Sequence, residues 1–256
     1  MFAEDALSYD AFLGGKLHLF QPRRGYRAGV DPVLLAASVN ATAGQSVLEL
    51  GCGAGAAALC LAARVADLKL CGIERHADYA ELARRNAAVS GANFSVIEAD
   101  LTDLPMAVRQ QQFDHVIANP PYFRRGRGTA ARDDWREAAL GEDTPLARWL
   151  EVGVRRLSPK GYIHIIQQAE RMPDLLAACD DRLGNIEVLP FSPRSGRDAQ
   201  LIVLRARAGG RAAFKLHAPV VMHKGNSHDH DGEDYSPLIQ SVLRKGAGIE
   251  FSSIRC

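Results

Sequence analysis

The stretch Ser46-Val47-Leu48-Glu49-Leu50-Gly51-Cys52-Gly53-Ala54-Gly55 decides the fold of this chain. Its first five residues, with Val47, Leu48 and Leu50, predict a short buried strand, and three glycines at alternate positions then predict a turn. The Ala-rich segment from Ala56 to Ala66 follows and predicts a helix. Such a strand, glycine turn and helix favour a nucleotide-type site, because glycines admit a ligand close to the backbone and the helix start offers free N–H groups.

Acidic residues at the ends of three predicted strands indicate the kind of ligand. Glu49 lies just before the glycine turn, where a carboxylate suits an ammonium-bearing ligand better than a pyrophosphate. Glu74 closes the next strand, about 20 residues further on, the usual place for a carboxylate that binds ribose hydroxyls. Asp100 follows a third strand, and with Leu101 it is expected to bracket an adenine.

A second stretch, Asn119-Pro120-Pro121-Tyr122, follows the apolar run from Phe113 to Ala118. An amine conjugated to a ring or a carbonyl is a weak nucleophile, and a site activates it by accepting both of its N–H bonds. The Asn119 side-chain carbonyl and the Pro120 backbone carbonyl are suitable acceptors. The prolines stiffen the turn and Tyr122 offers a face for stacking. The alternative is a purely structural Pro-Pro-Tyr turn.

Together these residues resemble a class I S-adenosylmethionine-dependent methyltransferase, with Glu49 to Gly55 as the cofactor turn and Asn119 to Tyr122 as an amino-methylation motif. The resemblance covers roughly residues 15 to 210. Three branches of that superfamily carry a similar motif, and they methylate adenine N6, guanine N2 or the side-chain amide of glutamine in release factors. The segment from Leu17 to Ala37 resembles the opening of bacterial tRNA adenine-N6 methyltransferases that act on valine tRNA.

The sister branches fit less well. Release-factor enzymes generally carry a helical domain before the cofactor turn, and about 40 residues leave no room for one. Guanine-N2 enzymes often have a duplicated half and usually Phe where this chain has Tyr122. Two alternatives of other classes are an RNA-binding module with a vestigial pocket and a nicotinamide dehydrogenase, although a dehydrogenase has no use for the Asn119 motif.

The resemblance therefore implies methyl transfer from S-adenosylmethionine to the N6 amine of an adenine in tRNA. The catalytic residues that we predict are Asn119, Pro120, Pro121 and Tyr122. The predicted cofactor residues are Asp31, Glu49, Gly51, Gly53, Gly55, Glu74, Arg75, Asp100, Leu101 and Asn119. The transfer is expected to be direct, without a covalent enzyme intermediate.

The net charge of +1 gives no general attraction to RNA, but arginines are clustered along the chain. We expect one RNA-facing surface from three groups, which comprise Arg23 and Arg24, then Arg124, Arg125 and Arg127, then Arg194 and Arg197. Asp133, Asp134 and Glu137 support the alternative of a charge-balanced, solvated loop.

Alternating strand and helix patterns predict an α/β fold, a Rossmann-like, doubly wound, seven-stranded and mostly parallel sheet with an antiparallel last strand. The predicted division is a capping segment at 1–40, a methyltransferase domain at 41–210 and a tail with a short helix at 211–256. The chain has 256 residues, of which 47% are hydrophobic, and no membrane-spanning stretch or secretory signal, so we expect a cytoplasmic protein. Its five cysteines are expected to be free thiols, and the His/Asp-rich segment 223–234 a solvated loop rather than a metal site.

Overall fold

The computed structural model of the chain describes residues 2–124, 141–142, 144–225 and 234–251. Its strands, β1 to β13 in chain order, are Leu7–Phe12, Leu17–Pro22, Ser46–Leu50, Lys69–Glu74, Phe94–Glu98, Phe113–Ala118, Phe123–Arg124, Gly141–Glu142, Leu157–Gln168, Leu183–Ser192, Leu201–Ala208, Lys215–Leu216 and Val220–Val221. Its α-helices, α1 to α7, are Asp31–Ser38, Ala56–Arg64, Ala77–Ser90, Met106–Arg109, Leu146–Arg156, Met172–Ala178 and Pro237–Lys245. None of the helices in these ranges has the length and apolar character needed to cross a membrane.

Nine of the described strands form the main sheet, in the order β12-β10-β11-β9-β6-β3-β4-β5, with β13 paired to β10 as well. The strands separated by helices pair in parallel, whereas β11 runs antiparallel to both β9 and β10. A short connection such as the one from β10 to β11 can join only antiparallel strands, and this explains the reversal. The predicted seven strands and reversed last strand are confirmed, and β12 and β13 add two residues each.

Helices cover both faces of the sheet, so its central strands are buried on both sides. Helices α1, α2, α3 and α7 pack on one face, where Leu34, Leu59 and Ile239 are buried. Helices α4, α5 and α6 pack on the other face, where Leu150 and Leu175 are fully buried. The carboxyl ends of the parallel strands therefore lie together at one end of the sheet, between the two layers of helices.

The first hairpin, β1 with β2, is a separate antiparallel sheet that is fixed by a buried asparagine. The Asn86 Oδ1 atom accepts the Phe20 N–H at 2.8 Å. The Asn86 Nδ2 atom donates to the Phe20 and Ala54 carbonyls, both at 3.0 Å. One side chain of α3 thereby attaches the hairpin to the glycine turn.

The carboxyl-terminal segment joins the main body of the molecule. Its short strands β12 and β13 extend the sheet, and Ile239 and Val242 of α7 are buried in the core. Ser236 caps α7, since its Oγ accepts the Ile239 N–H at 3.4 Å.

Two element boundaries are not evident from the sequence. Ser158 to Gly161 has the composition of a turn, yet it lies inside β9, at a register irregularity in which Lys160 has a φ of 68°. The sequence pattern favours a helix over about 171 to 183, yet α6 ends at Ala178, because the chain turns before β10, with the Leu183 N–H donating to the Asp180 carbonyl at 3.0 Å.

Candidate active site

A deep cavity lies where β3, β4, β5 and β6 end, and most of the predicted site residues meet in it. Its empty space, counted together with the open solvent at its mouth, is about 1250 Å³. The predicted residues that line it are Asp31, Glu49, Gly51, Gly53, Glu74, Arg75, Asp100, Leu101, Asn119, Pro120, Pro121 and Tyr122. The cavity thus borders both the glycine turn and the Asn119 motif.

The glycine turn is shaped by backbone angles that only glycine adopts easily. Gly51, Gly53 and Gly55 have φ values of 64°, 54° and 85°. A Cβ atom on Gly51 would lie 2.6 Å from the Trp149 ring. Gly55 does not line the cavity, so its role in binding the cofactor stays a prediction. It begins α2 and packs so closely on Phe94 that a Cβ would lie 2.8 Å from that ring.

Glu74 connects the glycine turn to the end of β4. Its Oε2 atom accepts the Gly53 N–H at 2.9 Å, and its Oε1 atom accepts the His76 N–H at 2.8 Å. The carboxylate is 7% exposed, at the cavity wall. Each oxygen retains lone-pair capacity for a further donor, such as a ribose hydroxyl.

Glu49 is the most deeply buried acid of the site. Its Oε2 atom accepts the Ala58 N–H at the start of α2, at 3.0 Å. Burial, with a smaller contribution from Glu74, raises the pKa of Glu49 to about 8, while the Ala58 hydrogen bond opposes the shift. Burial also raises the pKa of the Cys52 thiol well above its ordinary value, so this free cysteine is no nucleophile at neutral pH.

Asp100 also faces the cavity, and its charge state differs from that of Glu49. The Thr102 hydroxyl donates to its Oδ1 atom at 2.6 Å and the Thr102 N–H at 2.7 Å. These hydrogen bonds lower the pKa of Asp100, so its carboxylate is ionised at neutral pH. Leu101 and Ile73 add apolar surface beside it, which suits a planar ring.

Asn119 and Tyr122 are each joined to a residue from the first 31 positions. The Asn119 Nδ2 atom lies 3.5 Å from the Tyr26 hydroxyl, and the Tyr122 hydroxyl donates to Asp31 Oδ2 at 2.5 Å. Burial is the main cause that raises the pKa of both Tyr122 and Asp31. Asp31 lines the cavity as predicted, but its carboxylate holds the Tyr122 ring in place.

Two buried side chains that the sequence analysis missed support the Asn119 motif from behind. The Gln167 Nε2 atom lies 3.4 Å from the Pro120 carbonyl oxygen and 3.3 Å from that of Pro121. Arg171 donates to the Tyr122 carbonyl at 3.3 Å and is only 6% exposed. Three successive carbonyls are thus held by β9 and the turn after it.

Tyr26, Tyr79 and Trp149 also line the cavity and were not predicted to do so. Tyr26 lies in the Gly25-Tyr26-Arg27 stretch that contributes to the family resemblance, so a signal for it was present. Trp149 sits on the buried face of α5, where sequence cannot separate a core residue from a pocket residue.

The predicted RNA-facing arginines have different surroundings. Arg23, Arg24 and Arg197 are exposed. Arg194 is 8% exposed, pairs with Asp234 at 2.5 Å and donates to the Lys224 carbonyl, so its contact with RNA stays a prediction that these partners do not favour. Arg125, Arg127 and the Arg124 side chain lie outside the described residues, as does most of the His/Asp-rich segment.

Comparisons with known proteins agree with this geometry. The family model for the methyltransferase small domain matches residues 30–189. A tRNA1(Val) (adenine(37)-N6)-methyltransferase of Actinobacillus succinogenes is 32% identical over 168 residues, which cover 63% of this chain and 69% of that protein. An enzyme with the same name from Porphyromonas gingivalis strain W83 is 34% identical over 175 residues, covering 65% and 68%.

Among solved structures, an Agrobacterium tumefaciens protein described as a predicted O-methyltransferase is 29% identical, with a TM-score of 0.69. The alignment covers 86% of this chain and 98% of that one. Fold, cavity and comparisons define a class I methyltransferase with S-adenosylmethionine as its cofactor. Within that class, the chain belongs to the methyltransferase small domain family.

Proposed function

We propose that this enzyme methylates the exocyclic N6 amine of an adenine in tRNA. The observation that carries the proposal is that the Asn119 motif and the glycine turn with Glu49 and Glu74 line one cavity. This arrangement supports direct transfer, because a substrate amine bound at Asn119 would lie next to a cofactor bound at the glycine turn. The names of the Actinobacillus and Porphyromonas relatives support adenine in tRNA as the substrate.

The cavity wall fits the charge pattern of the cofactor. Glu49 would face its ammonium group, Glu74 its ribose hydroxyls, and Asp100 with Leu101 its adenine. Gly51 and Gly53 leave the turn free of side chains, and at Gly51 a side chain would meet Trp149. S-adenosylmethionine, when bound, supplies an electrophilic methyl group on a positively charged sulfur.

The Asn119 motif would prepare the substrate amine. The Asn119 Oδ1 atom and the Pro120 carbonyl accept its two N–H bonds and favour a nitrogen whose lone pair is available for attack. Tyr122 stacks on the base, which must be unstacked from its neighbours to enter the cavity. No strong base is needed, since the methylated ammonium loses its proton readily.

The RNA would approach across the open mouth of the cavity. The exposed Arg23, Arg24 and Arg197, with Arg124, Arg125 and Arg127, would contact its phosphates. Residues 1–40 would serve as a segment that caps cofactor and substrate, residues 41–210 would carry the transfer, and residues 211–256 would close the sheet. The hydrogen bonds of Asn86 to the first hairpin and to the glycine turn support the capping role.

The test is incubation of the purified protein with labelled S-adenosylmethionine and tRNA that lacks the modification, followed by mass spectrometry of the nucleosides. The expected product is N6-methyladenosine, formed by the wild type and not by Asn119→Ala, whose cofactor affinity stays within about twofold. Ribosomal RNA and a release factor serve as parallel substrates. Label on guanine N2 of the RNA, or on glutamine of the factor, would overturn the adenine assignment.

A further inference from the structure

The orientation of the Asn119 amide decides whether the Asn119 motif can activate an amine. A carboxamide carries an acceptor oxygen on one side and a donor NH2 group on the other. If the NH2 group faced the substrate, its N–H donors would point at the N–H donors of the amine. No hydrogen bond would form, and the amine would not be activated. Something in the cavity must therefore hold the NH2 group away from the substrate.

Tyr26 is positioned to hold it. Its hydroxyl oxygen lies 3.5 Å from the Asn119 Nδ2 atom, across 93 residues of sequence. Burial, with the nearby Asp31 carboxyl, raises the pKa of Tyr26, so its hydroxyl stays neutral and its oxygen is free to accept. Hydrogen bonds in a site without substrate are often long and tighten when substrate binds.

The segment around Tyr26 is itself tied down at several points. The Tyr79 hydroxyl donates to the Tyr26 carbonyl at 3.0 Å. On the two flanks, the Ala28 N–H donates to Gln21 Oε1 at 2.7 Å and Arg27 donates to the Pro22 carbonyl at 2.9 Å. The segment has no regular secondary structure, so these contacts are what place the ring.

Tyr26 also borders the glycine turn. A Cβ atom on Gly53 would lie 3.7 Å from the edge of the Tyr26 ring, an ordinary van der Waals contact. Tyr26 therefore borders both the glycine turn and Asn119. We propose that Tyr26 is a positioning residue whose hydroxyl accepts from Asn119 Nδ2 and so turns Oδ1 toward the substrate amine, an inference that rests on the proposed function.

The decisive variant is Tyr26→Phe, which removes the hydroxyl and keeps the ring. We expect kcat to fall about tenfold, in line with the loss of one hydrogen bond that matters in the transition state. The Kd of S-adenosylmethionine, measured by calorimetry, should stay within about twofold. Tyr235→Phe, which removes a hydroxyl from a half-buried tyrosine that does not line the cavity, should leave kcat unchanged. An unchanged kcat in Tyr26→Phe, or an equal loss of kcat and of cofactor affinity, overturns the proposal.

A second comparison separates orientation from packing. In Asn119→Asp the side chain presents an acceptor oxygen on both sides, so it needs no orienting partner. Adding Tyr26→Phe to Asn119→Asp should therefore lower single-turnover transfer by less than about twofold, whereas a merely structural role would give the full tenfold loss in both backgrounds.

The substrate used in these assays is whichever one the wild type methylates. If that substrate is not tRNA, the proposed function fails while the Tyr26 comparison still gives its own answer. If the wild type methylates tRNA and Tyr26→Phe does so equally fast, only the inference on Tyr26 fails.

Discussion

Raising the pH from 6 to 8 is expected to strengthen cofactor binding about 50-fold, because Glu49 must lose a proton to pair with the ammonium group of the ligand. Burial raises the pKa of Glu49 to about 8. With that pKa, about 1% of the carboxyl groups are ionised at pH 6, about 10% at pH 7 and about half at pH 8. Binding at pH 7 should accordingly release about 0.9 proton per ligand.

Calorimetric titration in buffers of different ionisation enthalpy measures this proton release directly. The matched control is Glu49→Gln, which keeps the shape of the side chain and cannot titrate. The ammonium group of the ligand titrates equally in both experiments, so the difference between the two proteins isolates Glu49. Equal proton release and equal pH dependence in the two proteins would refute the reasoning.

The same raised pKa affects the free protein. The pKa of Glu49 is higher in the folded state than the ordinary value of 4.5, so the folded protein holds a proton that the unfolded chain releases. The contribution of Glu49 to the free energy of unfolding is therefore complete below about pH 4.5 and is lost as the pH rises toward 8. Bound cofactor should offset part of that loss, which thermal melts of wild type and Glu49→Gln with and without ligand would measure.

Three further variants test the site. Gly51→Ala should lower the melting temperature and the cofactor affinity more than Gly44→Ala does, because both backbones have a positive φ but only at Gly51 would the new methyl meet Trp149, at 2.6 Å. Glu74→Ala should raise the cofactor Kd at least tenfold, since the ribose and two backbone N–H groups lose their acceptor, and an unchanged Kd in calorimetry would contradict this role. Gln167→Leu should lower kcat about fivefold without changing the cofactor Kd, because the Pro120 and Pro121 carbonyls lose the side chain that donates to them. An equal kcat in the variant and the wild type would show that the two prolines alone fix the turn.

Much of the fold follows from patterns that are local in the sequence. A mainly apolar stretch of five residues followed by glycines at 51, 53 and 55 predicts a strand and a turn, since glycine adopts the positive φ values found there most easily. The hairpin that reverses the last strand follows from the short connection between β10 and β11. The Asn119 motif was recognisable because two adjacent carbonyl acceptors on a stiff turn, followed by an aromatic residue, suit a planar amine, although Asn-Pro and Pro-Pro also occur in purely structural turns.

Contacts between distant segments were not predictable in this way. Arg194 looked like an RNA contact in a basic turn, yet it is buried against Asp234, which lies 40 residues further along the chain. Gln167 and Arg171 carry no motif, and they matter only because β9 lies beside β6 and ends behind the Asn119 motif. A polar residue at the end of a strand has the same sequence signature whether it faces solvent or a catalytic turn.

The sequence by itself predicted the alternating strands and helices of the main sheet, the glycine turn and the proposed amine-binding motif, because each rests on the properties of neighbouring residues. The tertiary structure alone decided which side chains complete the site. Tyr26 and Asn119 are separated by 93 residues, and Asp31 and Tyr122 by 91, so each pair forms only after the sheet has closed. The raised pKa of Glu49 was also decided by the tertiary structure alone, because desolvation depends on everything that surrounds a carboxyl group and not on its neighbours in sequence.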